Sequence, residues 1–268
     1  MWSTARRILR HRNLLRTLTA RELKARYRGS LLGYLWSLVN PLLLLVVYTF
    51  VFSTVFDPRD ESIHPYGLFL VTGLFPWIWI QASWLEGAGS LLANAGLIRK
   101  AAFPAEVLPL VPVLANLVHF ALALPVIAVA YAVYHGVYAG SISGPAALLL
   151  PAIVALQLPL VAGLALGFAA LNAHFKDVRD LLANLLTLLF FMTPILYTVE
   201  RLENYPLVRG AVVLNPFTPF AQAYQQTVFF GELPGLGLWL RMLAIGLVAW
   251  TAGAWLFERL SGTLVEAV

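Results

Sequence analysis

Residues 31–55 read LLGYLWSLVNPLLLLVVYTFVFSTV, twenty-five positions without a charge. A helix needs about 20 mostly apolar residues to cross the hydrocarbon core of a bilayer. A membrane β-strand needs about 10, with apolar and polar residues alternating. This run is continuous and too long for a strand, so it predicts a membrane helix over about 32–56. Five further stretches of the same kind follow, at about 66–92, 107–134, 146–171, 181–199 and 236–257. Pro41, Pro76, Pro112, Pro125, Pro159 and Pro194 fall inside them. Membrane helices tolerate proline because neighbouring helices satisfy the freed carbonyls.

Composition agrees with that reading. Of 268 residues, 60% are hydrophobic and 12% charged, and the mean hydropathy is +0.79. Soluble domains carry about 25% charged residues, so this chain has too little charge to cover a surface facing water. It is too apolar to be disordered. It has no cysteine, which excludes a disulfide framework, thiolate metal sites and cysteine nucleophiles. The expected fold is an all-α integral membrane protein with six transmembrane helices.

The net charge of +5 gains its meaning from position. Arg6, Arg7, Arg10, Arg12, Arg16, Arg21, Lys24, Arg26 and Arg28 all precede the first span. An even number of spans puts both termini on one side, with Arg99, Lys100, Lys176, Arg179 and Arg259. Fourteen basic residues then share that side, against Arg59, Arg201, Arg209 and Arg241 opposite. By the positive-inside rule both termini are cytoplasmic. The basic balance is thus a topology signal, and nucleic acid is not expected as a partner. The first span is longer than the apolar core of a signal peptide and reads as a retained helix.

Three connections carry further information. Residues 1–31 place Trp2, Ala5, Ile8, Leu9, Leu15 and Leu18 at roughly helical spacing among arginines. They read as an amphipathic helix in the cytoplasmic interface, or as a plain positive-inside anchor. Gly29 and Ser30 mark a break before the membrane domain, residues 32–268. The second cytoplasmic connection, SLLANAGLIRKAAFPAEVLP at 90–109, suggests a short helix stopped before Pro104. Such a helix either docks a soluble partner or packs against the chain's own helices. The last external connection, about 200–235, holds LNPFTPFAQAYQQTVFFGELPG. It is too broken by proline to span and too apolar for a free loop. Two short helices dipping into the outer leaflet fit it, as an external gate.

Catalytic patterns do not emerge. The chain has no G-x-x-x-x-G-K-[ST] phosphate loop and no H-E-x-x-H pair, and its five histidines lack ligand spacing, so no metal site is expected. The connection HFKDVRD at 174–180 crowds charges, but a solvated loop explains them better than a proton relay. Within the spans the ionisable residues are Glu86 and His119, with His135 near an outer end. Asn40, Asn116, Gln157, Asn184 and Thr187 add hydrogen-bonding capacity. A lone Glu or His in a membrane helix more often bonds a neighbouring helix than relays protons. The aromatic clusters Phe75, Trp77, Trp79 and Trp84, and Phe190, Phe191 and Tyr197, suit interfacial belts and packing, or a conduit whose ring faces stack on sugars.

Four segments in this order resemble a known family. They are RELKARYRGSLLGYLWSLVNPLL at 21–43, LFPWIWIQ with SLLANAGLIRKAAFPAEVLP in 74–109, HFKDVRDLLANLLTLLFFMTPILY at 174–197 and NPFTPFAQAYQ at 215–225. The chain resembles the membrane subunit of type-2 ABC exporters for cell-surface polysaccharides, the O-antigen, capsule and teichoic-acid exporters. The resemblance implies a homodimer in the cytoplasmic (inner) membrane with two copies of a separate ATPase subunit, which holds the ATP and Mg²⁺; this chain carries no cofactor and no catalytic residue. It implies a lipid-linked polysaccharide, O-antigen-like, as substrate, passing between the two copies. It implies ATPase coupling through Leu97, Ile98, Arg99, Lys100 and Phe103, and an interface helix with Trp2, Arg6, Arg7 and Arg10. Re-entrant external helices over 201–230 would gate the exit, with Asn215, Pro216, Phe217, Pro219 and Tyr224. Channel-lining candidates are Trp77, Trp79, Trp84, Phe190, Phe191 and Tyr197. The alternatives are a type-2 exporter of teichoic acid, drug or lipid, and a polyprenyl-phosphate sugar transferase.

Overall fold

The computed structural model describes residues 2–29, 36–51, 63, 66–99, 103–138 and 145–267. Every regular element among them is helical. Two helices open the chain, α1 (Trp2–Arg10) and α2 (Arg12–Arg26). Then come α3 (Trp36–Phe50), α4 (Tyr66–Ala93), a single turn α5 (Ala95–Ile98) and α6 (Leu110–Tyr138). The remainder is α7 (Leu150–His174), α8 (Val178–Met192), the short α9 (Pro206–Leu214) and α10 (Thr218–Tyr224), α11 (Leu236–Ser261) and a last turn α12 (Leu264–Ala267).

Among the described residues, four helical stretches are long and apolar enough to cross a membrane: Tyr66–Ala93, Ala105–Val129, Ala146–His174 and Leu236–Ser261. They match the second, third, fourth and sixth expected spans. Helices α3 and α8 have 15 described residues each, about 22 Å at 1.5 Å per residue. For α3, both flanks of the expected 32–56 span lie outside the described residues. For α8 the helix itself ends at Met192, short of the expected 199. Pro194 is the reason: it disfavours helical backbone at the residue before it, and Thr193 is already extended at ψ 136°.

Helix α4 forms the centre of the bundle. It is buried along most of its length despite Pro76, with α3, α6, α7 and α8 packed around it. Helix α11 packs on α7 at glycines. A Cβ on Gly253 would fall on the carbonyl oxygen of Gly163, and one on Gly163 would meet the backbone of Trp250. A Cβ on Gly246 would stand 2.9 Å from the Leu156 carbonyl oxygen. Small residues let two membrane helices approach backbone to backbone, where dispersion and carbonyl contacts hold them.

The N-terminal segment differs in two ways from the expected single surface helix. It bends at His11 into two helices. Part of its apolar face also lies on protein: Leu15 is buried, and Ile8, Leu14 and Leu18 pack against the helical core, with α2 on α6, whereas Leu9 is exposed. The break at Gly29 is present, with a left-handed φ of 77° that glycine adopts at no steric cost. Ser30 lies outside the described residues.

One end of the bundle gathers both termini. Thr4 Oγ1 donates to Glu258 Oε1 at the end of α11 (2.5 Å). His174, at the end of α7, pairs through Nε2 with Thr263 Oγ1 (2.8 Å). The segment 194–230 lies at the other end, where the Tyr66 hydroxyl, at the start of α4, donates to the Leu196 carbonyl (2.7 Å).

Candidate functional site

At the end that carries the termini, two ion pairs tie the N-terminal helices to the bundle. Arg7 Nε donates to Glu106 Oε1 at 2.7 Å, and its Nη2 lies 3.9 Å from Glu258 Oε1. Arg7 thus joins α1 to the connection before α6 and to the foot of α11. Arg6 and Arg10 are exposed, and the side chain of Trp2 is outside the described residues.

The second pair lies deeper. Arg26, on the last turn of α2, bonds Glu86 of α4 through Nη2. Its Nη1 donates to Asn116 Oδ1 of α6 (2.9 Å), and Asn116 Nδ2 donates to Glu86 Oε2 (2.9 Å). Three groups from three helices close a triangle in which each satisfies the other two. Beside it the Tyr27 hydroxyl meets His119 Nδ1 at 2.9 Å. The triangle forms one wall of an open cavity of about 610 Å³ between α2, α3, α4 and α6. It also borders a smaller cavity of about 340 Å³ that includes Arg21, Glu22 and Arg179.

The expected coupling residues flank this end. Ile98 is buried and Leu97 and Phe103 pack partly against the core, while Arg99 is exposed. Lys100 lies outside the described residues. Of the two readings of this connection, packing against the chain's own helices accounts for Ile98, and Arg99 is left facing outward. The charged connection 174–180 holds its shape by helix-end bonds. His174 Nδ1 faces the Ala170 carbonyl (2.9 Å), and the Arg179 amide donates to Asn172 Oδ1 (3.0 Å).

The tryptophans of α4 are interior residues of this protomer. Trp79 and Trp84 are each 1% exposed. Their indole N–H groups donate to the Val113 and Val161 carbonyls (3.1 and 3.0 Å), so both satisfy their polar edge inside the bundle. Trp79 stacks on Phe120 with 5° between the rings, and an edge of it reaches the large cavity. Trp77 is buried, in contact with Phe190 and Phe217. Among the channel-lining candidates only Phe191 is largely exposed, while Phe190 and Tyr197 are half-buried. The Tyr197 hydroxyl donates to the Phe191 carbonyl (3.0 Å).

At the far end two short helices, α9 and α10, occupy the proline-interrupted segment. They differ in burial. Helix α9 shows Leu207 and Leu214 almost fully exposed, whereas 217–221 and 223–225 are buried. Asn215 pins the junction: Nδ2 donates to the Met192 carbonyl and to Thr193 Oγ1 (3.1 Å each), and Oδ1 accepts from the Phe217 amide (2.9 Å). The Tyr224 hydroxyl donates to Gln157 Oε1 of α7 (2.7 Å), and Gln225 Nε2 to the Pro194 carbonyl (2.7 Å). Phe217 and Pro219 are buried and Pro216 exposed. The chain then leaves through a π-helical turn, Gln225–Phe230, closed by Gly231 at φ 68°.

Sequence reasoning singles out Glu86, Asn116, His119, Gln157 and, as a gate candidate, Tyr224, but it does not pair them; Arg26 reads as a topology signal alone, and Tyr27 is not singled out. It also passed over the glycines of α7, although Gly163-Leu-Ala-Leu-Gly167 has the small-xxx-small spacing of close helix packing.

The chain is similar to known proteins over nearly its whole length. It is 34% identical over 263 residues to an O-antigen export system permease protein RfbA of Myxococcus xanthus, covering 98% of both chains. It is also 34% identical over 222 residues, 82% of each chain, to an O-antigen export system permease protein RfbA of Klebsiella pneumoniae. The family model described as ABC-2 type transporter matches residues 13–229. A helical, multi-pass membrane chain whose sequence matches that model across four-fifths of its length belongs to the ABC-2 type transporter family, as a membrane subunit of a type-2 ABC exporter.

Proposed function

We propose that this chain exports a lipid-linked polysaccharide, O-antigen-like, across the cytoplasmic membrane, with two copies forming the path and a separate ATPase driving it. The observation that carries the substrate is the 34% identity to an O-antigen export permease over 98% of both chains. Deleting the gene should remove the surface glycan and accumulate its lipid-linked form on the cytoplasmic side. Normal surface glycan after deletion would overturn the reading.

Physical features support the remaining parts. Helix α8 turns Leu181, Leu185, Leu188 and Phe191 outward, with Asn184 and Thr187 exposed on the same face. A polar stripe within an apolar helical face suits protein contact better than lipid, and a second copy supplies it. Given six spans, the fourteen-to-four bias of basic residues supports both termini being cytoplasmic, and a C-terminal reporter active only in the cytoplasm checks it. The ATPase, carrying ATP and Mg²⁺, meets α1 and the 94–106 connection, with Arg99 and Lys100 as basic contacts. Charge reversal at both should reduce ATPase co-purification. The segment 201–230 re-enters the outer leaflet and gates the exit: α9 offers an apolar face and 215–225 anchors it. Phe191 on α8 is the channel-lining candidate best placed to face the second copy.

A further inference from the structure

We propose that the 610 Å³ cavity walled by Arg26, Glu86 and Asn116 is a saccharide-binding site within each protomer. The inference rests on the polysaccharide reading above and places a sugar-recognising element on α2, α3, α4 and α6, away from the outward face of α8. The volume lies in the range of small-molecule sites, about 300–1,000 Å³.

The electrostatics select the ligand class. The charged groups among the lining residues are Arg26 and Glu86, one of each sign and already paired. An anion would have to take Arg26 from Glu86, and a cation would have to take Glu86 from Arg26. Either exchange breaks the Arg26–Glu86 pair at a partly exposed site, a cost that a neutral ligand avoids. A neutral ligand that donates hydrogen bonds breaks nothing. Both bonds that Glu86 accepts fall on Oε2, and its side chain is 39% exposed, so Oε1 remains to accept from a hydroxyl. A carboxylate acceptor gives such a bond extra strength.

The rest of the lining is mostly apolar, combining rings with Leu44, Ile78, Ala82 and Ala123. Of the lining rings, Trp36 is 39% exposed, whereas Phe75, Trp79 and Phe120 are buried, Trp79 stacked on Phe120. The C–H faces of a pyranose are weakly positive and apolar, and they match the negative face of an aromatic quadrupole. Carboxylate, amide and guanidinium in one cavity with the exposed ring of Trp36 is a chemistry for hydroxyls and C–H faces together. An acyl chain would leave the triangle facing hydrocarbon, and a bare diphosphate would leave the rings unused.

The test uses the full exporter, this chain with its ATPase in lipid nanodiscs, and tryptophan fluorescence. The probe is the oligosaccharide released by mild acid from the producing strain's own surface glycan. A polyprenyl diphosphate without sugar serves as the comparator. The oligosaccharide should quench saturably and the comparator should not. Glu86→Gln should weaken the oligosaccharide about tenfold, one charge-assisted hydrogen bond's worth. Ala82→Leu, which narrows the cavity one turn from Glu86, should weaken the quench in a complex of unchanged size. No saturable quench in the native exporter, quenching by the comparator alone, or an unaltered quench in Ala82→Leu would each overturn the site. The native arms decide the matter even if a variant does not assemble. If deletion removes surface glycan while the probe fails to bind, the cavity assignment falls and the export reading stands. If surface glycan persists after deletion, the export reading falls first.

Discussion

The seam between α7 and α11 and the outward faces of α3 and α8 are built from similarly apolar residues and end in opposite conditions. In the seam, Gly163, Gly246 and Gly253 bring two backbones into contact, and no side chain could be added. On α3 and α8, Val46, Val47, Phe50, Leu181, Leu188 and Phe191 are more than half exposed. One region is completed by a single chain. The other presents apolar surface that lipid or protein must cover. Hydropathy does not distinguish them, because a bilayer is as apolar as a leucine-rich interface. Residue size at the seam does: Gly163, Gly246 and Gly253 leave no room for a Cβ, whereas Gly237 at the start of α11 stands in open space.

The strongest attack on this contrast is Gly253→Leu. Its side chain would start inside the Gly163 carbonyl, and overpacking of a rigid contact costs about 1–3 kcal/mol or more. The variant should fail to give a monodisperse protein in detergent. Recovery of native amounts with an unchanged melting temperature would show that the seam is not backbone-tight.

Arg26→Met comes next. It leaves Glu86 without its cation and Asn116 Oδ1 without a donor, a loss of roughly 1–3 kcal/mol. The double variant Arg26→Met/Glu86→Gln should recover part of that loss, because the stranded charge is gone. A double-mutant cycle on melting temperature measures the coupling; strict additivity would mean that α2 is held by packing alone.

Trp84→Phe separates packing from path. It removes the N–H bond to the Val161 carbonyl and should cost about 1–2 kcal/mol, seen as a lower melting temperature. Export per folded complex should be unchanged. An unmoved melting temperature with lost export would return Trp84 to the conduit.

Much of this was legible before any coordinates. Helix type, four of the long spans, the break at Gly29 and the short helices near 206–224 follow from hydropathy, proline and glycine. The misreadings share one cause. Sequence assigns a residue to a class, whereas partners are set by three-dimensional placement. Arg7 and Arg26 have the composition of topology signals, yet one reaches Glu106 and the other Glu86, 99 and 60 residues away in sequence. The α4 tryptophans look like a stripe, but helices pack around most of α4 and bury Trp77, Trp79 and Trp84, while its open side carries Ile78 and Glu86. The end of α8 at Met192 needed the local rule for a residue before proline, which the apolar run up to 199 obscured.

The smallest effect on the protomer is the sharpest test of its unfinished side. Leu188 on α8 is 64% exposed, with exposed Asn184 and Thr187 near it. Leu188→Ser removes little that the single chain buries, so the melting temperature of the isolated protomer should shift by no more than about 0.5 kcal/mol equivalent. If lipid covers this face, the polar substitution changes membrane retention slightly and leaves the oligomer alone. If a second copy covers it, the lost packing falls at the centre of an interface, and the dimer population in nanodiscs should drop by about tenfold, which corresponds to 1.4 kcal/mol. Mass photometry at several dilutions reads that difference directly. An undiminished dimer would move the partner surface from α8 to α3, where Val46, Val47 and Phe50 form the other large outward apolar face of the short helices.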